Sequence, residues 1–227
     1  MRKITAVALD DQPLLLAGIR SLIAQDPEID LVGEGSVGEH LFSLVEKHQP
    51  NVVLLDLNMP HQEGGADRTT FRALPAINQL HRDHPQTVVI VLSQHISVTL
   101  IEGAFEIGVR GYILKDDIVS LNLPEAIRAV HQGRLFLSEA IKDELLQSRH
   151  GAKHSLLTKR QKQIVRQLAS NLDMSISSHA AVLGITEASL RNHLSNMFRA
   201  LNVSNISSCI VTCMRLGLVP FDTTYIE

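Results

Sequence analysis

Four short apolar runs, each closed by a polar side chain, leave this chain few architectures. Ile4–Leu9 runs into Asp10 and Asp11, Val52–Leu55 into Asp56, Thr87–Leu92 into Ser93, and Gly111–Leu114 into Lys115. Runs this short, rich in Val and Ile and bounded by turn residues, read as interior strands of a parallel sheet, which is buried on both faces. Leu31–Gly35 reads as a further strand. Between the strands the period changes. Pro13 stands where a first helical turn accepts proline, and Leu15, Leu16, Ile19, Leu22 and Ile23 form one apolar stripe. Gly38–His48 and Ala76–Asp83 read as further helices. Strand and helix alternating about five times predicts an α/β fold, a doubly wound parallel sheet.

The polar ends of the runs carry the chemistry. Open α/β sheets bind ligands at the carboxyl ends of their strands, so Asp10, Asp11 and Asp56 are expected at one edge. Carboxylates this close oppose each other's ionisation unless a cation joins them, and an all-oxygen donor set suits magnesium better than zinc. A carboxylate nucleophile, a divalent ion, the Ser93 hydroxyl and the Lys115 ammonium are what phosphoryl transfer requires: positioning, and neutralisation of the transferring group's oxygens. Taken singly, each residue has a plainer reading. An Asp at a strand end caps or turns, loop Ser and Lys are solvated, and Tyr112 is a packing residue. Their combination points to a phosphoacceptor site.

Helix patterns continue beyond the sheet, over Pro124–Gln132 and Ser138–Gln147. Ser148–Ser155 has no apolar periodicity and reads as a short linker, too short to hold two domains far apart. The expected organisation is a first domain over 1–147, a linker over 148–155 and a small all-α domain over 156–227. A chain of 227 residues with 44% hydrophobic content accommodates two modest cores. The net charge of −3 divides unevenly: from Gly151 onward eight Lys and Arg stand against four acids, about +4, leaving about −7 on residues 1–150. A basic tail end suits contact with a polyanion. Cys209 and Cys213 share one helix face without a finger-like Cys/His partner pair, so they read as packed thiols. The chain opens on a strand pattern without a signal peptide, and no apolar run reaches membrane-spanning length, so a cytoplasmic protein is expected.

In the last third Thr158 caps a helix carrying Ile164, Val165 and Leu168. A short helix over Ser178–Leu183 stops at Gly184, and Thr186 caps the longer Glu187–Leu201. On that helix Leu190, Leu194, Met197 and Leu201 define the core side, opposite Ala188, Arg191, Asn192, Ser195 and Arg199. Short helix, glycine turn and longer helix with a polar outer face make a helix-turn-helix, whose second helix enters the major groove of duplex DNA.

Asp10-Asp11, Asp56-Leu-Asn-Met-Pro with Gly64 beyond it, Ser93, and Tyr112-Ile-Leu-Lys115 resemble the full signature of a two-component response-regulator receiver domain. The resemblance implies a flavodoxin-like five-stranded sheet in the order 2-1-3-4-5. It further implies that Asp56 accepts a phosphoryl group from a sensor histidine kinase. Asp10, Asp11, Asp56 and the backbone carbonyl of Asn58 would hold Mg2+. Ser93 and Lys115 would contact the phosphoryl oxygens, and Tyr112 would be the aromatic switch. Leu157-Thr-Lys-Arg, Leu183-Gly-Ile-Thr-Glu and Leu190-Arg-Asn-His-Leu-Ser-Asn-Met are similar to the LuxR-type DNA-binding domain. Together the two halves resemble the NarL/FixJ class over nearly the whole chain.

Carried over residue by residue, Arg191, Asn192 and Ser195 are the expected groove contacts, with His193 steadying the backbone contact or the packing. Arg199 and Lys159 are the expected phosphate contacts. The class implies a regulator rather than an enzyme, whose receiver covers the recognition helix until phosphorylation releases it and two protomers pair on a two-half-site operator. Two departures stand out. Gly65–Pro75 lengthens the stretch before Ala76, as a surface elongation or as an insert that shields Asp56 or contacts a partner. Asn171–His179 is also long for the family, with Ser177 or Ser178 where a basic residue is usual and His179 in place of an apolar core residue. These departures motivate a rival reading: a protein-interaction or phosphate-sink receiver whose degenerate C-terminal domain is silent toward DNA.

Overall fold

The computed structural model describes residues 3–63, 70–118, 122–147 and 157–219. Its first part alternates β1 (Ile4–Leu9), α1 (Pro13–Ile23), β2 (Ile29–Gly35), α2 (His40–His48), β3 (Val52–Asp56), α3 (Ala73–Asp83), β4 (Val88–Ser93), α4 (Val98–Glu106), β5 (Gly111–Leu114), α5 (Leu123–His131), β6 (Phe136–Leu137) and α6 (Glu139–Gln147). All pairings between the strands are parallel, in the order β2-β1-β3-β4-β5-β6. The expected order 2-1-3-4-5 is present, and among the described residues a short sixth strand extends it beyond β5. β6 is only two residues long, too short to carry a period in the sequence. It forms because the chain leaving α5 returns alongside β5, Phe136 donating its amide to the Arg110 carbonyl.

Alternation along each strand divides the core between two faces. Ala6, Ala8, Leu54, Ile90, Leu92 and Ile113 pack with Ile19 and Ile23 of α1 and with Ile127 and Val130 of α5. Val7, Leu9, Val53, Leu55, Val89, Val91 and Tyr112 pack with Leu41 and Val45 of α2, Ile77 and Leu80 of α3, and Ile101 and Phe105 of α4. Both faces being covered explains why these strands read as unbroken apolar runs.

Helix α3 begins three residues before the expected Ala76, because Pro75 is tolerated in a first turn whose N–H groups have no helical partner. The stretch ahead of it is pinned at its neck. Pro60 and Thr70 form an antiparallel bridge, Phe71 donates to the Met59 carbonyl, and buried Phe71 lies where a Cβ on Gly38 would be 2.1 Å from its ring. Gly64, residues 65–69 of the long stretch, and the expected linker 148–155 lie outside the described residues.

The last helices are α7 (Lys159–Ala169), α8 (Ile176–Val182), α9 (Glu187–Leu201) and α10 (Ile206–Arg215). Each opens on a side-chain cap: Thr158, in a capping box with Gln161, then Ser175, Thr186 and Asn205. Helix α8 starts two residues before the expected Ser178 because Ser175 supplies the cap. Gly184, at φ +64°, makes the turn into α9, and Asn202, at φ 55°, ends α9. No described helix is long and apolar enough to cross a membrane.

Candidate functional site

The sheet order brings the ends of β1, β3, β4 and β5 to one edge. Asp10 follows β1, Asp56 is the last residue of β3, Ser93 closes β4 and Lys115 follows β5. Asp10, Asp56, Ser93 and Lys115 are all buried, while Asp11 is exposed. The Lys115 Nζ lies 2.7 Å from Asp10 Oδ2 and 2.9 Å from Asp56 Oδ2. Those three atoms are buried, and although the distances are those of ion pairs, the angles fall outside hydrogen-bond geometry. Each carboxylate is held by its other oxygen: Gln12 donates its amide to Asp10 Oδ1 at 2.9 Å, and Asn58 donates its amide to Asp56 Oδ1 at 3.0 Å. These amide bonds fix both carboxylates before any ligand arrives.

Burial is the largest influence on Asp10 and pushes its pKa up, against Lys115 and the Gln12 amide. Burial pulls the Lys115 ammonium down, yet the two carboxylates outweigh it and its pKa ends above the ordinary value. Lys115 is therefore a fixed cation over the physiological range.

Asp10, Asp11 and Asp56 each offer an oxygen, all within 4.8 Å of one another. Two of these groups already share one lysine, through buried Oδ2 atoms that make no well-formed hydrogen bond among the described residues. An all-oxygen, partly open cluster of this kind fits a hard divalent cation such as Mg2+.

Ser93 is poised on the same edge. Its hydroxyl donates to the His95 carbonyl at 2.8 Å and accepts from the His95 amide at 3.3 Å, so it holds the loop that leads into α4. Tyr112 is fully buried, and among the described residues its hydroxyl has no well-formed hydrogen bond. Burial raises its pKa, with the Ser93 side chain beside it opposing. The sequence showed no sign of Ser138, whose hydroxyl accepts the Leu114 amide at 3.2 Å and anchors the strand end ahead of Lys115. A serine after an unforeseen two-residue strand carries no pattern that would reveal it.

The second set of expected residues lies on the helix-turn-helix. Arg191, Asn192, Ser195 and Arg199 are exposed on α9, His193 is half-buried, and Lys159 is exposed at the start of α7. Leu190, Leu194 and Met197 are buried behind them. Arg191 is held along the helix by Glu187, Nε at 3.0 Å and Nη2 at 2.6 Å from one carboxylate oxygen. The expectation that the receiver covers this face is corrected. The α9 outer residues are open, and the contacts from the first part of the chain reach α10 and the loop before α8, because Asn205, Arg215 and Asp173 find their partners there.

His179 takes the core position anticipated for it and is 1% exposed. Its Nε2 donates to the Asn171 carbonyl at 3.0 Å, while Nδ1 is buried with no partner among the described residues. Burial lowers its pKa, the carbonyl opposing, which favours the neutral ring.

Comparison with known proteins agrees with this geometry. The family model described as response regulator receiver domain matches residues 6–123. The nitrate/nitrite response regulator protein NarP of Escherichia coli is 32% identical over 215 residues, spanning 92% of this chain and 94% of the relative. The transcriptional regulatory protein DegU of Brevibacillus brevis is 28% identical, spanning 96% and 95%. Among solved structures, the Salmonella typhimurium response regulator RcsB superposes with a TM-score of 0.56 at 23% identity, over 92% of this chain and 97% of that one. The last likeness concerns the fold.

Proposed function

This chain belongs to the response-regulator family, as a two-domain member of the NarL/FixJ class, and from that premise we propose that it is a cytoplasmic, phosphorylation-dependent transcription regulator in which Asp56 is the phosphoacceptor. The domains are assigned to residues 1–147 and 156–227, joined by residues 148–155. The observation that carries the reading is the Lys115 ammonium seated 2.7 and 2.9 Å from the Asp10 and Asp56 carboxylates, with Asp11 completing an oxygen cluster.

In the proposed reaction an Asp56 oxygen attacks the phosphorus of a kinase phosphohistidine. A P–O bond forms, the P–N bond breaks, and the departing imidazole nitrogen takes a proton. Asp10, Asp11, Asp56 and the Asn58 carbonyl would hold Mg2+, which when bound neutralises charge on the transferring oxygens. Lys115 supplies a second, permanent cation to the same oxygens. Ser93 donates its hydroxyl to a phosphoryl oxygen only by releasing the His95 carbonyl, so occupancy of Asp56 is transmitted to the loop before α4. Tyr112, whose hydroxyl lacks a well-formed bond among the described residues, follows Ser93 as the switch residue.

The output is binding of duplex DNA by α9, with Arg191, Asn192 and Ser195 at base edges, His193 steadying the helix, and Arg199 and Lys159 on phosphates. Two protomers pair on activation. A second reading has a specific observation behind it: α8 carries no Lys or Arg, and Arg191 is engaged by Glu187, which thins the electrostatic footprint. On that reading the receiver is a phosphate sink or interaction module. Electrophoretic shifts with genomic fragments, with and without beryllofluoride, decide between them. An affinity gain that Asp56→Asn abolishes supports the regulator, and absence of any shift at low salt supports the rival.

A further inference from the structure

The strand that leads to Lys115 is braced by a segment that follows α5. Along one side of β5 the backbone groups of Arg110, Tyr112 and Leu114 face that segment. Phe136 donates its amide to the Arg110 carbonyl at 2.9 Å and Ser138 donates its amide to the Tyr112 carbonyl at 3.1 Å, with Gly111 opposite Phe136 and Tyr112 opposite Leu137. At the next position β6 has ended, and a side chain continues the ladder: the Ser138 hydroxyl accepts the Leu114 amide at 3.2 Å. Ser138 is 3% exposed, so water is a poor substitute for that acceptor. A serine directly ahead of a helix commonly caps it with its hydroxyl. Ser138 stands directly ahead of α6 and gives its carbonyl to the Lys142 amide at 3.0 Å, yet its hydroxyl serves β5. On the other flank Leu114 is opposite Ser93 in the β4 register. The backbone just ahead of Lys115 is therefore held between β4 and Ser138. A lysine side chain is a flexible stem, so where its ammonium rests between Asp10 and Asp56 depends on where its backbone is held.

We propose that Ser138 is a positioning residue for phosphoryl transfer: by accepting the Leu114 amide it holds the end of β5 where the Lys115 ammonium meets both carboxylates. Through the Tyr112 carbonyl it steadies the backbone of the switch residue as well. Ser138 acts through Lys115 and not on the phosphoryl group itself. The inference rests on the reading of Asp56 as phosphoacceptor.

The test follows the rate at which the full-length protein takes up a phosphoryl group from acetyl phosphate with Mg2+, with folding of each variant checked by circular dichroism. Ser138→Ala leaves the Leu114 amide without its acceptor and is expected to slow uptake by about tenfold, since misplacing a reacting group by about an ångström costs up to about a hundredfold. Thr87→Ala is the control. It deletes a buried bond at the opposite end of the sheet, from Thr87 Oγ1 to the Pro50 carbonyl at 2.9 Å, and is expected to leave the rate unchanged. Ser138→Thr and Ser138→Val have nearly the same shape and differ in the hydroxyl, so a faster Ser138→Thr separates the bond from any effect of packing. Adding Ser138→Ala to Lys115→Met is expected to slow uptake no further than Lys115→Met alone, because both changes act through one group, whereas a general structural role would slow both backgrounds alike. A parent that takes up no phosphoryl group overturns the Asp56 reading and this inference with it. A parent that takes it up no faster than Ser138→Ala and Ser138→Val, or a double variant slower than Lys115→Met, overturns the inference alone and leaves Asp56 as the acceptor.

Discussion

Replacing Lys115 by methionine tests the electrostatics of the site more sharply than any change to the carboxylates. Lys115 is the cation between Asp10, fully buried, and Asp56, 1% exposed. Methionine fills a comparable volume and removes the charge, so the two carboxylates face each other without compensation. Removing one partner of a buried ion pair costs about 3–5 kcal/mol, since the remaining charge stays desolvated. Here one substitution orphans two charges, which places the loss at the upper end of that range at pH 7.5 without divalent metal.

The loss is expected to shrink on acidification. Burial already raises Asp10 above its ordinary 3.8, and a carboxyl raised in the folded state contributes stability that is full below 3.8 and lost as pH rises through the folded value. Without Lys115 that folded value moves higher still, so the variant recovers at a higher pH than the parent. Millimolar Mg2+ is expected to restore part of the loss. Urea denaturation followed by circular dichroism, with slopes compared to check that the denatured state is unaltered, gives the difference directly. A variant within about 1 kcal/mol of the parent at pH 7.5 without metal would refute the reasoning, because a surface pair is worth no more than that.

Other outcomes follow from single contacts. Gly38→Ala places a methyl 2.1 Å from the Phe71 ring and is expected to destabilise by about 1–3 kcal/mol through forced repacking, measured by the urea midpoint. His179, whose pKa is lowered below its ordinary 6.5, contributes stability that is present above 6.5 and lost as pH falls through the folded value. Melting of the helix-turn-helix is therefore expected to weaken on acidification below that point, and His179→Leu to remove the dependence; an unchanged pH profile would contradict the buried, neutral ring. Thr186→Ala, which removes the acceptor for the Ser189 amide at 3.1 Å, is expected to cost about 1 kcal/mol, read from the midpoint of the same transition.

The phosphoacceptor edge was legible in the sequence because each strand in a doubly wound sheet ends where its apolar run ends. Asp56, Ser93 and Lys115 are the first polar residues after such runs, and the parallel order then aligns them. The exposed face of α9 was legible for a similar reason: Leu190, Leu194 and Met197 recur at helical spacing and leave the opposite positions outward. What escaped depends on long-range pairing. β6 has two residues and exists only because of β5. The role of Asn205 requires α4, about a hundred residues away, to present its carbonyl end. That the receiver leaves this face uncovered escaped, since which surface of a small domain meets its neighbour depends on contacts such as Asp173 with Arg110 that leave no periodic trace. Proline at 75 misled the reading of α3, because the same residue stops a helix interior and suits a first turn.

The central claim is that Asp56, held beside Asp10 and Lys115, takes up one phosphoryl group. Intact-mass spectrometry after incubation with acetyl phosphate and Mg2+ tests it most directly. The parent protein is expected to gain a single phosphoryl group and Asp56→Asn none. A parent that gains none, or a variant that still gains one, would contradict the account.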